Sequence, residues 1–289
     1  MEFGKKEYLE INKNLNNKIN EKGCLISVHR GTRSGNVIEN TIEAYKLAFM
    51  SGADMVELDI AKSTDNVLYC FHDTTEHYNL RMEKNIQTLH SKVIDELYLY
   101  NSIGVETLKR VDKFEDVLKT FKNGELFNID RAWEKMDILF PLLDKYPHAL
   151  NQMLFKSPVR IEVLEFLDKY PTKYMYMPII YKLEDLEIIE KYQNINIVGY
   201  EVIIRNENSD FLKNNFLESL KAKGCFIWLN AITLGDGPKW SLTNFYNDDN
   251  SLFKGVECGW KKLLDYDAKV IQTDWPYLLK QYRDSYFKK

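Results

Sequence analysis

Short β-rich runs alternate with helical patterns along this chain, and no other feature constrains its fold as much. Candidate strands lie at residues 24–28, 55–58, 125–129, 152–155, 174–179, 197–202, 225–229 and 269–272. Candidate helices follow them at 41–51, 111–122, 133–145, 159–169, 183–191, 210–223, 255–265 and 275–287. Strands separated by helices pair in parallel, because each helix carries the crossover connection. Eight such units in 289 residues predict an α/β fold of the (β/α)8 TIM type, with an open doubly wound sheet as the alternative. No Pro- or Gly-rich linker interrupts the rhythm, so one domain over 1–289 is expected.

Three segments stand outside the repeat. Tyr8, Ile11, Leu15 and Ile19 fall at helical spacing, which predicts an N-terminal helical extension over 1–22 packed on the body. A short extra strand at 67–71 precedes an irregular stretch, 74–110, read as a small insertion after the second strand. Residues 233–250 contain Gly235-Asp236-Gly237-Pro238 and Asn247-Asp248-Asp249 and predict a loop on the face of the strand ends.

Net charge is −4 without a basic block, which argues against nucleic acid as a partner. No apolar run approaches the roughly 20 residues that span a bilayer, so no integral membrane segment is expected. Residues 1–22 are rich in Lys, Asn and Glu and lack the apolar heart of a signal peptide. The expectation is a cytoplasmic protein, or a secreted one if a signal was removed. Cys24, Cys70, Cys225 and Cys258 show no C-x-x-C spacing, and the first three, in or beside strands, are expected as buried free thiols.

In a β/α barrel the C-terminal strand ends carry the chemistry. His29, Arg30, Glu57, Asp59, Asp130, Arg131, Lys156, Glu201, Asn230 and Asp274 all fall there. Glu57 and Asp59 are two apart on one strand and point the same way. Two adjacent carboxylates repel unless a cation sits between them, and oxygen donors suit Mg²⁺ or Ca²⁺ better than zinc. His29 and His72, each beside a charged residue (Arg30, Asp73), fit a general acid and base, since histidine titrates near neutrality. Arg30 offers a planar fork for a phosphate, with a salt bridge to Glu57 or Glu39 as the structural alternative. Lys156 ends an apolar strand and reads as a second phosphate contact. Trp228 lines the pocket or packs in the core. His77, His90 and His148 lack such context and are expected at the surface.

These motifs resemble the glycerophosphodiester phosphodiesterase family. They are His29-Arg30-Gly31, Glu39-Asn40-Thr41, Gly52-Ala53-Asp54-Met55-Val56-Glu57-Leu58-Asp59, Thr64-Asp65 and His72-Asp73, with Thr273-Asp274-Trp275-Pro276 near the C-terminus. The resemblance implies a barrel with an insertion after its second strand and one divalent cation on Glu57, Asp59 and an acid of the third strand. Many members carry Glu-x-Lys there; this chain has Asp130-Arg131-Ala132, so Asp130 takes the acidic place and Lys156 is the nearest replacement for the lysine. It also implies hydrolysis of a small-molecule glycerophosphodiester to glycerol 3-phosphate and an alcohol. The attacker is water or a neighbouring substrate hydroxyl that gives a cyclic phosphate. His29 and His72 serve as acid and base in an order the sequence leaves open. Glu39 orients Arg30 or the metal shell; Asn40, Asp73, Glu201 and Trp228 are supporting residues. Two other readings stay open: a lysophospholipase D-like or phospholipase-like lipid phosphodiesterase, and a noncatalytic phosphate-binding barrel. The sequence leaves the oligomeric state undetermined.

Overall fold

The computed structural model describes residues 1–235 and 240–288. Among the described residues eleven strands run in chain order: β1 Leu25–Val28, β2 Met55–Lys62, β3 Leu68–Cys70, β4 Tyr98–Tyr100, β5 Glu106–Arg110, β6 Leu126–Asp130, β7 Met153–Pro158, β8 Met175–Ile180, β9 Gly199–Val202, β10 Phe226–Asn230 and β11 Val270–Thr273. Eight of them pair in parallel in the order β1, β2, β6, β7, β8, β9, β10 and β11, and β11 closes on β1 through Leu25↔Val270 to Val28↔Thr273. The fold is therefore a closed eight-stranded parallel barrel, made of the eight strands that the sequence pattern predicts. Among the described residues no helix is long and apolar enough to cross a membrane.

Alternation along the strands sorts the side chains. In β2, Val56, Leu58 and Ile60 join the apolar shell between strands and helices, while Met55 faces the barrel interior. Glu57 and Asp59 share the face of Met55 and so rise from the interior toward the mouth. The same alternation brings Leu126, Asn128 and Asp130 of β6, and Leu154 and Lys156 of β7, onto the inner face.

The N-terminal extension closes the barrel floor. Leu15 and Ile19 of helix α1, Leu9–Lys22, join Phe3, Leu25, Met55, Leu126, Leu154, Met175, Phe226 and Val270 in one buried cluster. Phe3 is fully buried and meets Phe226 edge-on, with ring centroids 5.9 Å apart. Asn16 Oδ1 accepts from Phe3 N at 2.9 Å, and Gly4 N donates to Gly224 O at 2.8 Å, so the leading segment is held as a plug. Phe3→Ala is expected to cost about 3–5 kcal/mol of stability, read as a lower urea midpoint at unchanged slope.

The stretch after β2 is an ordered insertion. β3 runs antiparallel to β2, and β4 and β5 form a hairpin that the sequence pattern did not reveal. Ile38, Ala61, Tyr69, Phe71, Leu80, Ile86, Ile94, Leu99 and Val111 give this region its own small core.

Three expected elements change. The helix expected over 210–223 is a 3-10 turn, Asp210–Leu212, and a helix, Phe216–Ala222, because Asn214 and Asn215 take left-handed backbone between them. The loop expected over 233–250 ends in a helix, Asp248–Phe253, capped by Asn247; residues 236–239 lie outside the described ones. The helix expected over 255–265 begins at Trp260, after a 3-10 turn Val256–Cys258. His148, expected at the surface, is half-buried with Nε2 2.8 Å from Leu118 O. Cys24, Cys70 and Cys225 are buried free thiols as expected, and Cys258 is exposed.

Candidate active site

Backbone conformation assembles the β1 end of the site. Arg30 and Asn40 both take left-handed backbone (φ 56° each), and Asn40 N donates to Arg30 O at 2.8 Å. Gly31 follows at φ 76°, and a Cβ there would lie 2.8 Å from the Ala44 carbonyl carbon of helix α2, Ile42–Met50. Only glycine allows that approach. Thr41 caps α2 by accepting from Ala44 N. Asn40, pinned by its own turn, then grips Asp59: Nδ2 donates to Asp59 Oδ2 at 2.9 Å, and Oδ1 accepts from Asp59 N at 3.0 Å and Tyr45 Oη at 3.2 Å.

Glu57, Asp59 and Asp130 converge at the mouth, each with one ligand atom within 4.8 Å of the others. Burial, then repulsion by Asp59, pushes the Glu57 carboxyl up to about 8. Burial opposes ionisation of Asp130 as well, but Lys156, at 2.9 Å from Oδ2, holds it below the usual range. Three buried or half-buried hard oxygen donors, one of them under charge stress, suit a divalent cation of the Mg²⁺ or Ca²⁺ type.

The two histidines are poised differently. His29 Nδ1 lies 3.2 Å from Asp274 Oδ1. Burial disfavours its charged form, yet the Asp274 bond and the Glu57 field outweigh this and raise it above its ordinary value. His72 is delivered by β3: Phe71 N donates to Asp59 O at 3.1 Å, which sets the following residue beside the triad. Burial, with Arg30 and Arg131 nearby, lowers His72 despite the pull of Asp59.

Cations and supporting groups complete the site. Arg30 Nη1 donates to Glu39 Oε1 at 3.0 Å, and its Nε lies 3.2 Å from Asp59 Oδ2 at an angle too poor for a hydrogen bond. The backbone N of Arg30 donates to Glu57 Oε2 at 3.0 Å. The salt bridge to Glu39 expected as the structural alternative is present, and the guanidinium stands against the triad. Glu39 also accepts from Arg33 Nη1 at 2.6 Å. Lys156 is buried, set between Asp130 and Glu201, whose Oε2 is 3.4 Å away but not hydrogen-bonded. Asn230 Nδ2 donates to Glu201 Oε1 at 2.8 Å and Oδ1 accepts from Trp228 Nε1 at 2.9 Å. Trp228 is fully buried in the barrel interior, with Lys156 Nζ 5.9 Å from the ring centroid, so it packs beneath the site. Asp73 is bound to Arg131 Nε at 2.7 Å and to Gln87 Nε2 at 3.0 Å, tying the insertion to the end of β6.

Three residues take parts that the sequence did not suggest. Asp274 stands out in the sequence as a strand-end acid and within the closing Thr273-Asp274-Trp275-Pro276 motif, but its pairing with His29 follows from the closure of β11 on β1. Arg131, at φ 55°, turns back to Asp73. Asp248 is buried behind Asp274, and its sequence context marks only a loop. Two cavities flank the Arg33–Glu39 pair: one of 440 Å³ against the insertion, lined by Tyr78, Asn79, Arg81 and Tyr100, and one of 410 Å³ lined by His29, Asp274, Trp275 and Tyr277.

A model of the glycerophosphoryl diester phosphodiesterase family matches residues 29–226. Residues 176–283 also match a model of a domain of unknown function. A glycerophosphodiester phosphodiesterase of Caldanaerobacter subterraneus subsp. tengcongensis is 49% identical over 51 residues, 18% of this chain and 21% of that relative's length. Among solved structures, a glycerophosphoryl diester phosphodiesterase from Parabacteroides distasonis has a TM-score of 0.73 at 16% identity, over 94% of this chain and 92% of the other. A phosphodiesterase from Oleispira antarctica, solved in complex with sn-glycerol-3-phosphate, has a TM-score of 0.61 at 18% identity, over 90% and 96% of the two chains. At such identities the structural likeness speaks for the fold.

Proposed function

The chain belongs to the glycerophosphoryl diester phosphodiesterase family, and from that premise we propose that it hydrolyses a glycerophosphodiester to glycerol 3-phosphate and an alcohol, with His72 as base and His29 as acid. The observation that carries this reading is the opposite poise of two histidines beside one acidic triad, His29 raised and His72 lowered. Relative to an ordinary histidine, the first keeps its proton more readily and the second gives its proton up more readily, the order an acid and a base need. His72 takes the proton of the attacking hydroxyl, whose oxygen bonds to phosphorus as the P–O bond to the alcohol breaks and His29 protonates the departing oxygen; where the attacker is the glycerol's own hydroxyl, water then opens the cyclic phosphate to glycerol 3-phosphate. Arg30 pairs with a phosphate oxygen beside the triad, and Glu39 keeps its guanidinium in plane. Lys156 holds Asp130 ionised and in place. Glu57, Asp59 and Asp130 would hold one divalent cation, whose contribution when bound is to neutralise phosphate charge as a Lewis acid. The bound sn-glycerol-3-phosphate of the Oleispira antarctica phosphodiesterase is the product expected here.

One observation favours a lipid diester as the second reading. Trp275 and Tyr277 line the cavity beside His29 and are 48% and 58% exposed, which would suit an acyl or other apolar arm. Parallel assays on glycerophosphocholine and a lysophospholipid separate the two substrates. A noncatalytic phosphate-binding barrel would turn over neither.

The acid and base assignment has a pH signature. Activity should rise with pH as His72 loses its proton, below the ordinary histidine value of 6.5, and fall as His29 loses its own, above 6.5. Asp274→Asn removes the partner that raises His29, so the descending limb of kcat/KM should move to lower pH while the ascending limb stays. A descending limb indifferent to this substitution would sink the assignment of His29 as the acid.

A further inference from the structure

We propose that Asp248 is a positioning residue for His29, holding the Asp274 carboxylate against the imidazole from the far side of the β11 turn. This rests on the hydrolase reading only in calling His29 the acid. Asp248 is buried, 2% exposed, and both its oxygens accept hydrogen bonds. Oδ1 accepts from Trp260 Nε1 at 2.7 Å and from Thr273 Oγ1 at 2.8 Å, and Oδ2 accepts from the backbone N of Asp274 at 2.9 Å. The Asp274 side chain then meets His29 Nδ1 at 3.2 Å. The order of contacts is Asp248, the Thr273–Asp274 turn, His29.

The brace is itself fixed at several points. Asp248 N donates to Ala231 O at 2.7 Å, which ties it to the exit of β10. Trp260 N donates to Ser251 Oγ at 2.9 Å, and Trp260 is buried. A Cβ at Gly259 would stand 2.5 Å from Asn247 O, so only glycine lets the two segments close on each other here. Three donors aimed at one buried carboxylate are more than a loop closure needs. Burial pushes its carboxyl up to about 7, against the pull of the three donors. Asp248, Trp260 and Asp274 all lie beyond residue 226, where the family match ends.

The chemistry of an amide makes Asp248→Asn a selective probe. Kept with its oxygen toward Trp260 and Thr273, the asparagine retains two bonds and turns an NH₂ toward the Asp274 N–H, donor against donor. The turn is pushed away while the packing stays. The charged groups facing His29 are Asp274, Glu57 and Arg30, and Arg33 and Arg30 also face Asp274.

The test is an NMR titration of the His29 ring, identified by its loss in His29→Ala, in the wild type, Asp248→Asn, Asp274→Asn and the double variant. Asp248→Asn should lower the His29 pKa by about 1 unit, and the double variant should match Asp274→Asn alone. Trp260→Phe, which removes one of the two donors to the opposite oxygen, should lower thermal stability and leave the His29 titration in place. An unmoved titration in Asp248→Asn, or a further fall when it is added to Asp274→Asn, overturns the positioning role. The titration needs no turnover, so an inactive wild type would count against the hydrolase reading and leave this result standing.

Discussion

Alanine at His29 is expected to lower kcat/KM for a glycerophosphodiester by about 10²–10⁴-fold, the range that a general acid supplies. Its imidazole sits at the β1 end with Nδ1 engaged by Asp274, so Nε2 is the nitrogen that would carry the proton to the substrate. Loss of the ring removes the proton needed by the departing oxygen and does not disturb the triad, whose members are held by Asn40, Lys156 and the backbone of Arg30. Circular dichroism and thermal melting should therefore change little, and binding of the diester should survive. A merely structural histidine would give the reverse, a less stable chain with near-normal turnover. His72→Ala should be comparably inactive, through loss of the base.

Removal of the divalent cation is expected to have an effect of similar size, and it couples activity to stability. Glu57 is raised to about 8 because burial and Asp59 both oppose its charge. A carboxyl raised in the folded state stabilises fully below its unfolded value of 4.5, and that contribution is lost as pH climbs through 8. The cation-free protein should thus weaken between these limits. Mg²⁺ or Ca²⁺ should restore it, by about 2.7 kcal/mol at a hundredfold excess over Kd. Glu57→Gln should flatten the pH dependence, abolish the cation response in thermal melts, and reduce turnover by about 10²–10³-fold. Stability that responds equally to cation in Glu57→Gln would place the ion elsewhere.

The barrel was legible because its strands are short apolar runs with helical spacers, a pattern only parallel pairing satisfies. Glu57 and Asp59 were legible for the same reason: Val56 and Leu58 must face the helices, so their neighbours face the mouth. The hairpin of β4 and β5 was not, because its residues have no large buried face; Leu108 is 98% exposed. The split of the helix expected at 210–223 turned on two asparagines accepting left-handed backbone, a conformation that periodicity does not register. Lys156 was legible as a buried cation needing an anion, but its place 2.9 Å from Asp130 is a matter of distance that the sequence does not carry. Asp274 and Asp248 show the wider limit. Each gains its role from a partner at long range, His29 for the first and Trp260 and the Asp274 backbone for the second, and no local pattern encodes such a meeting.

The most direct test is release of glycerol 3-phosphate from glycerophosphodiesters by the EDTA-treated wild type, before and after return of Mg²⁺ or Ca²⁺, with His29→Ala beside it. The expected result is no release after EDTA, recovery with one of the two ions, and none in the variant under any condition. Release that persists without a divalent cation, or in His29→Ala, would contradict an acid histidine working beside a carboxylate-held ion.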